Sequence, residues 1–165
     1  MKFIAVPGVL ALWLTSAALA AGHTKTVSNA GTSLRVPAGW HAAIARSSCD
    51  PERLIVVASG RSRMRPSGRL LPPRDGQVLI VLLEVHLRQD RPDGNLRRPA
   101  HFAVTWNRLL RLEPCCGILE APAFMRYFKT RGRNLGFIVY PTGRIRPEIR
   151  SQTLAIMDSL RVTRR

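Results

Sequence analysis

The chain has 165 residues, and 26 lysines and arginines against 10 aspartates and glutamates give it a formal charge of +16. That length calls for one ordinary domain with a single core rather than several, and so strong a positive field attracts polyanions. Past the first twenty residues no apolar run is long enough to cross a bilayer, the longest being Val78 to Leu83.

Residues 1–20 read as an export signal. Lys2 supplies a positive start, Phe3 to Leu14 an apolar run, and Ala18-Leu19-Ala20 a small-residue cleavage site. Pro7, Gly8, Thr15 and Ser16 interrupt the run and argue against an uncleaved anchor. The expected product begins near Ala21, has 145 residues and is secreted or extracytoplasmic, in a periplasm or cell-wall space where cysteines can pair. The first cysteine is Cys49, which excludes lipid attachment directly after the signal.

Residues 21–31 are small and polar and read as a flexible leader, with a single domain over 32–163. Ser33-Leu34-Arg35-Val36 alternates with period two, Pro37-Ala38-Gly39 turns the chain, and Trp40 plugs the core as a second strand starts. Leu54 to Ala58 and Gln77 to Leu87 are apolar runs suited to central strands covered on both faces. A basic loop, Arg61 to Arg74, lies between them and a second, Arg88 to Pro99, follows. If the two strands are antiparallel neighbours, these loops leave from opposite ends of the sheet.

Phe102, Val104 and Trp106 alternate as in a half-buried strand ahead of Leu109 to Leu112 and the cysteine pair. Phe124 to Lys129 and Leu135 to Tyr140 flank Arg131-Gly132-Arg133-Asn134 as a hairpin. A helix then opens at Pro147 with Glu148 in its first turn. Ile149, Thr153, Ile156, Met157 and Leu160 form its inward stripe, and Arg161 closes it. The fold class is α+β, a twisted and mainly antiparallel sheet with this C-terminal helix packed on it. No repeat, heptad array or low-complexity tract is present.

Leu34-Arg35-Val36-Pro37-Ala38-Gly39-Trp40 and Ala155-Ile156-Met157-Asp158-Ser159-Leu160-Arg161-Val162 resemble the opening V-P-x-G-W and closing I-L-D-S-L patterns of secreted bacterial proteins of the PsbP-like fold. The resemblance spans Thr32 to Val162 and implies a central antiparallel sheet with a terminal helix, and an accessory or binding role rather than a reaction. It carries no functional residue across. The long arginine loop and the Cys115-Cys116 pair lie outside its motifs.

Of the basic residues, 23 are arginine, whose planar fork holds phosphate and carboxylate in a way lysine does not; a GC-rich genome would favour arginine as well. The candidate ligand-binding residues are Arg61, Arg63, Arg65, Arg69, Arg97 and Arg98. The expected partner is an anionic envelope polymer or lipid surface. Nucleic acid fits less well, because Arg61 to Arg74 contains no aromatic residue for base stacking.

Three cysteines leave one unpaired after any single bridge. Joining Cys49 to Cys115 or Cys116 would close a loop of some 67 residues, a constraint of about 4 kcal/mol on chain-entropy grounds. No cofactor or metal is expected, since no Cys-x-x-Cys or His-x-x-x-His spacing occurs. The alternative function is a small extracytoplasmic hydrolase using a thiol or carboxylates. It needs a cleft in which at least two of Cys116, His101, His86 and Glu84 converge. Glu84 interrupts an apolar strand, which also suits a buried acid paired with an arginine.

Overall fold

The computed structural model describes residues 23–46, 53–60, 70–84, 96–112, 119 and 121–164, the side chains of Arg46 and Arg53 apart. The export signal, Cys49, Arg61, Arg63, Arg65, Arg69, His86, Cys115 and Cys116 lie outside the described residues.

Among the described residues nine strands and one helix follow in the order β1 (Lys25–Asn29), β2 (Thr32–Val36), β3 (His41–Arg46), β4 (Arg53–Ala58), β5 (Val78–Glu84), β6 (Leu110–Arg111), β7 (Pro122–Thr130), β8 (Arg133–Pro141), α1 (Pro147–Asp158) and β9 (Arg161–Val162). They form a three-stranded sheet, β1-β2-β9, and a six-stranded sheet, β3-β4-β5-β8-β7-β6. Every strand pair is antiparallel.

β4, β5 and β8 are runs of Val, Ile, Leu and Phe buried on both faces, as their unbroken apolar sequence requires. One face of the six-stranded sheet carries Ile55, Val57, Ile80, Leu82, Leu135, Phe137 and Val139. These share an apolar cluster with Leu34 and Val36 of β2 and with Ile156, Met157 and Leu160 at the end of the chain. The other face carries Leu54, Val56, Leu79, Val81, Ile138 and Tyr140, clustered with Leu70, Leu112 and Leu119 from the long connections. Trp40 is 4% exposed in the first cluster, and its indole N–H donates to Gln152 Oε1 at 2.8 Å. Thr153, fully buried within the helix stripe, donates its hydroxyl to Ile149 O at 2.7 Å, so the donor is satisfied in the core.

The β7–β8 connection is a two-residue turn, Arg131 at φ 49° and Gly132 at φ 79°, the left-handed pair whose twist suits a tight hairpin.

Three expectations from the sequence are corrected. Residues 21–31 are not a leader throughout, since β1 occupies Lys25–Asn29 and order begins before Thr32. A second two-residue turn, Ala30 at φ 44° and Gly31 at φ 78°, folds β1 back on β2 over five residue pairs. β1 is an exposed edge, so its sequence is polar and shows no strand pattern.

Phe102 to Trp106 is not a strand. Phe102 and Val104 reach the core from a loop, and the Phe102 amide donates to the Asp158 carboxylate at 2.7 Å instead of to a neighbouring strand. Arg161 does not close the helix, which ends at Asp158 with no basic residue in its last turn; Arg161 belongs to β9.

A buried arginine joins the two sheets. Arg133, 5% exposed, donates to both carboxylate oxygens of Glu84, through Nε to Oε1 at 3.0 Å and through Nη2 to Oε2, while Nη1 donates to Ala30 O at 2.6 Å. One guanidinium thus ties β8, β5 and the β1–β2 turn together. Arg133→Ala removes the paired hydrogen bonds to Glu84 and the bond to Ala30 O, and is expected to cost about 3–5 kcal/mol in denaturant unfolding. Arg133→Met combined with Glu84→Leu should recover most of that loss.

Candidate anion-binding surface

Antiparallel pairing sorts the connections between two ends of the six-stranded sheet. His41, Ala58, Val78, Pro141, Pro122 and Arg111 mark one end, and Arg46, Arg53, Glu84, Arg133 and Thr130 the other.

The first end gathers arginine. Arg74 opens a tight turn in which the Gln77 amide donates to Arg74 O at 3.0 Å and the Arg74 amide donates to Gln77 Oε1 at 3.1 Å. That turn is stitched to the segment after β8, with the Gly76 amide donating to Thr142 O at 2.7 Å and the Thr142 amide to Gln77 O at 3.0 Å. A side chain at Gly143, φ 67°, would collide with the Asp75 carboxylate, so the two segments close on each other only with glycine there. Ile145 is buried while Arg144 and Arg146 are exposed, which aims both guanidinium groups outward from the segment that leads into α1.

Arg111, also exposed, stands at the same end opposite Pro122. Segment 61–69 leaves from Gly60, which lies directly against the Gln77 side chain. Asp75 and Glu148 are the acids described beside these arginines. The N-terminus of α1 has no side-chain cap and adds the positive end of the helix dipole.

Arg97 and Arg98 lie at the far end. Leu96 to Arg98 runs alongside the end of β7, with the Lys129 amide donating to Leu96 O at 2.7 Å and the Arg98 amide to Lys129 O at 3.2 Å. Arg97 is exposed. Arg98 is half-buried, donates Nη2 to Asp158 O at 3.1 Å and lies 5.9 Å from the centre of the Phe102 ring, so it serves the end of the helix. The two expected arginine loops therefore depart from opposite ends. Sequence reading passed over Arg111, Arg144 and Arg146; the Arg-x-Arg step immediately before Pro147 was the available signal.

Glu84 and His101, the described members of the hydrolase constellation, sit in separate pairs. Arg133 holds Glu84, and Asp158 Oδ2 lies 3.2 Å from His101 Nδ1. The His101 side chain is 87% exposed. A shallow depression where the β1–β2 turn meets β9 is lined by Ser28, Asn29, Ser33, Arg161 and Thr163 and contains neither group.

Asp158 and Ser159 fasten the end of the helix. Asp158 takes the Phe102 amide, and Ser159 Oγ accepts the Arg35 amide at 2.9 Å while donating to Ile156 O at 2.7 Å. On the opposite face, the buried Tyr140 hydroxyl accepts the Leu119 amide at 3.2 Å, and burial holds its phenol well above the usual range. Among the described residues no helix is long and apolar enough to cross a membrane. Compared with known proteins, the chain matches no protein family, curated protein or solved structure.

Asp158→Ala leaves the Phe102 amide without its acceptor and is expected to destabilise the fold by about 1–2 kcal/mol. His101→Ala, at an exposed position, should stay within about 0.5 kcal/mol of the parent in the same unfolding assay.

Proposed function

We propose that the chain is an exported, non-catalytic binding module of the PsbP-like kind that holds an anionic envelope component, a wall polymer or a lipid surface, with α1 covering one face of its sheet. The observation that carries this reading is the outward placement of Arg74, Arg144 and Arg146 at the sheet end from which segment 61–69 departs. Arg61, Arg63, Arg65 and Arg69 belong to the connecting segment 61–69, outside the described residues, and are proposed as further contacts for the same ligand.

Guanidinium forks on exposed turns suit many phosphate or carboxylate groups held weakly at once, which is what a polymer or membrane presents. The hydrolase alternative draws less support, because Glu84 is committed to Arg133 and His101 stands in the open. The likeness to PsbP-like proteins rests on the motifs around Trp40 and Asp158-Ser159.

Arg74→Ser, Arg144→Ser and Arg146→Ser combined should lower adsorption to phosphatidylglycerol vesicles and to phosphate-bearing wall polymer roughly tenfold or more at low salt. High salt should do the same to the parent protein. Arg97→Ser, at the far end, should leave adsorption nearly unchanged. Equal adsorption by the triple variant and the parent would overturn the reading, and loss on only one of the two materials identifies the target.

The proposed disulfide has its own demand. Cys49, Cys115 and Cys116 lie outside the described residues, so the bridge is read by chemistry alone. Peptide mapping of exported protein without reductant is expected to recover Cys49 joined to Cys115 or Cys116; three free thiols would refute it.

A further inference from the structure

β2 turns Thr32, Leu34 and Val36 into the core and leaves Ser33 half-buried and Arg35 exposed on its other face. Ser33 stands opposite Ser28 of β1 and opposite Arg161 of β9. Residues opposite each other in antiparallel strands share a face, so Ser28, Ser33 and Arg161 form one row across all three strands, on the side of the small sheet away from the core. Arg35 is the next residue of β2 on that side, opposite Thr26. Arg35 and Arg161 are diagonal neighbours, their backbones about 7–8 Å apart, near enough for two long side chains to meet one ligand.

The row ends in a depression of about 300 Å³ between the β1–β2 turn and β9, at the small end of the range for ligand sites. Its wall is held in place. The Thr163 amide and hydroxyl both donate to Gly31 O, at 2.8 and 3.2 Å, and the preceding carbonyl, Ala30 O, takes Arg133 Nη1. A Cβ on Gly31 would come within 2.6 Å of Thr163 Oγ1, so glycine there is what lets the turn and β9 close.

The charge of the row is one-sided. Arg35 and Arg161 are exposed, and neither pairs with an acid among the described residues. Glu84 is taken by Arg133, and Asp158 by the Phe102 amide. Beside the two guanidinium groups stand Ser28 and Ser33, whose hydroxyls both donate and accept. Two cations from nearby strands match a doubly charged phosphate better than a singly charged carboxylate, and the hydroxyls match a polyol.

We infer that the outer face of the β1-β2-β9 sheet is a binding site for a small phosphomonoester of a polyol, with Arg161 and Arg35 on the phosphate and Ser28 and Ser33 on the polyol hydroxyls. The site lies where Arg133 reaches the β1–β2 turn, at the end of the sheet away from Arg74, Arg144 and Arg146, and does not depend on the polymer or membrane contact proposed there. A shallow, exposed site holds its ligand weakly, and the pairing of charge with hydroxyls, rather than charge alone, makes it selective.

Nuclear magnetic resonance titration of the full chain with glycerol 1-phosphate reads the site directly, with lactate and glycerol as the singly charged and neutral comparisons. The expected result is saturable shifts of the backbone amides of residues 28–35 and 161–163, with binding roughly tenfold weaker in Arg161→Ser. Ser33→Val, which keeps the charge and fills the row, should weaken it as well, and the Arg74, Arg144 and Arg146 triple serine variant should bind as the parent does. Unmoved amides away from the site show that each variant is folded. Phosphatidic acid vesicles offered to the triple variant tell where the phosphate comes from: a free ligand if glycerol 1-phosphate alone binds, a lipid headgroup if the vesicles bind and adding Arg161→Ser releases them. No saturation by either, an equal response to lactate, indifference to Arg161→Ser, or loss of glycerol 1-phosphate binding in the triple variant would each overturn the inference.

Discussion

β5 and β8 are apolar on both faces, and the rest of the molecule is arranged to keep both faces from water. One face is met by side chains of β2, the loop at Phe102 and the end of the helix, the other by Leu70, Leu112 and Leu119 from long connections. Burial of this kind is worth roughly 25 cal/mol per Å² of apolar surface, but it is not directional. It requires a cover without saying which segment supplies it or how that segment is aligned.

Polar joints supply the alignment. Arg133 binds Glu84 across neighbouring strands and reaches Ala30 O, which fixes the β1–β2 turn over the end of β8. Asp158 and Ser159 fasten the last turn of the helix to the Phe102 loop on one side and to Arg35 on the other. In the sequence Glu84 also looks available for proton chemistry. In the fold each of these residues is engaged by its neighbours, as buried or half-buried polar groups must be. Arg98 belongs with them, since its position at the helix end explains it without a ligand.

The remaining arginines follow a different logic. Arg74, Arg144 and Arg146 are turned to solvent by segments that are themselves tightly hydrogen-bonded, so the charge is exposed while its backbone is fixed. That arrangement suits contact with an extended anionic material.

The amino-acid sequence by itself determined the local elements. Period-two alternation marked β2, continuous apolar runs marked β4 and β5, turn residues around Gly132 marked the β7–β8 hairpin, and a 3.6-residue stripe marked α1, because each signal is complete within a few neighbouring residues. It also determined the charge, and it offered Glu84 either as a hydrolase acid or as the partner of some arginine. Tertiary structure alone decided which arginine, since Glu84 and Arg133 are 49 residues apart and meet only when β5 and β8 pair. It decided that polar Lys25–Asn29 is a strand, because an exposed edge is held by backbone hydrogen bonds that leave no mark on side-chain pattern. The alternation at Phe102, Val104 and Trp106 proved to be a loop for the converse reason: a regular pattern records which side chains face the core, and the Asp158 carboxylate took the amide that a neighbouring strand would have used.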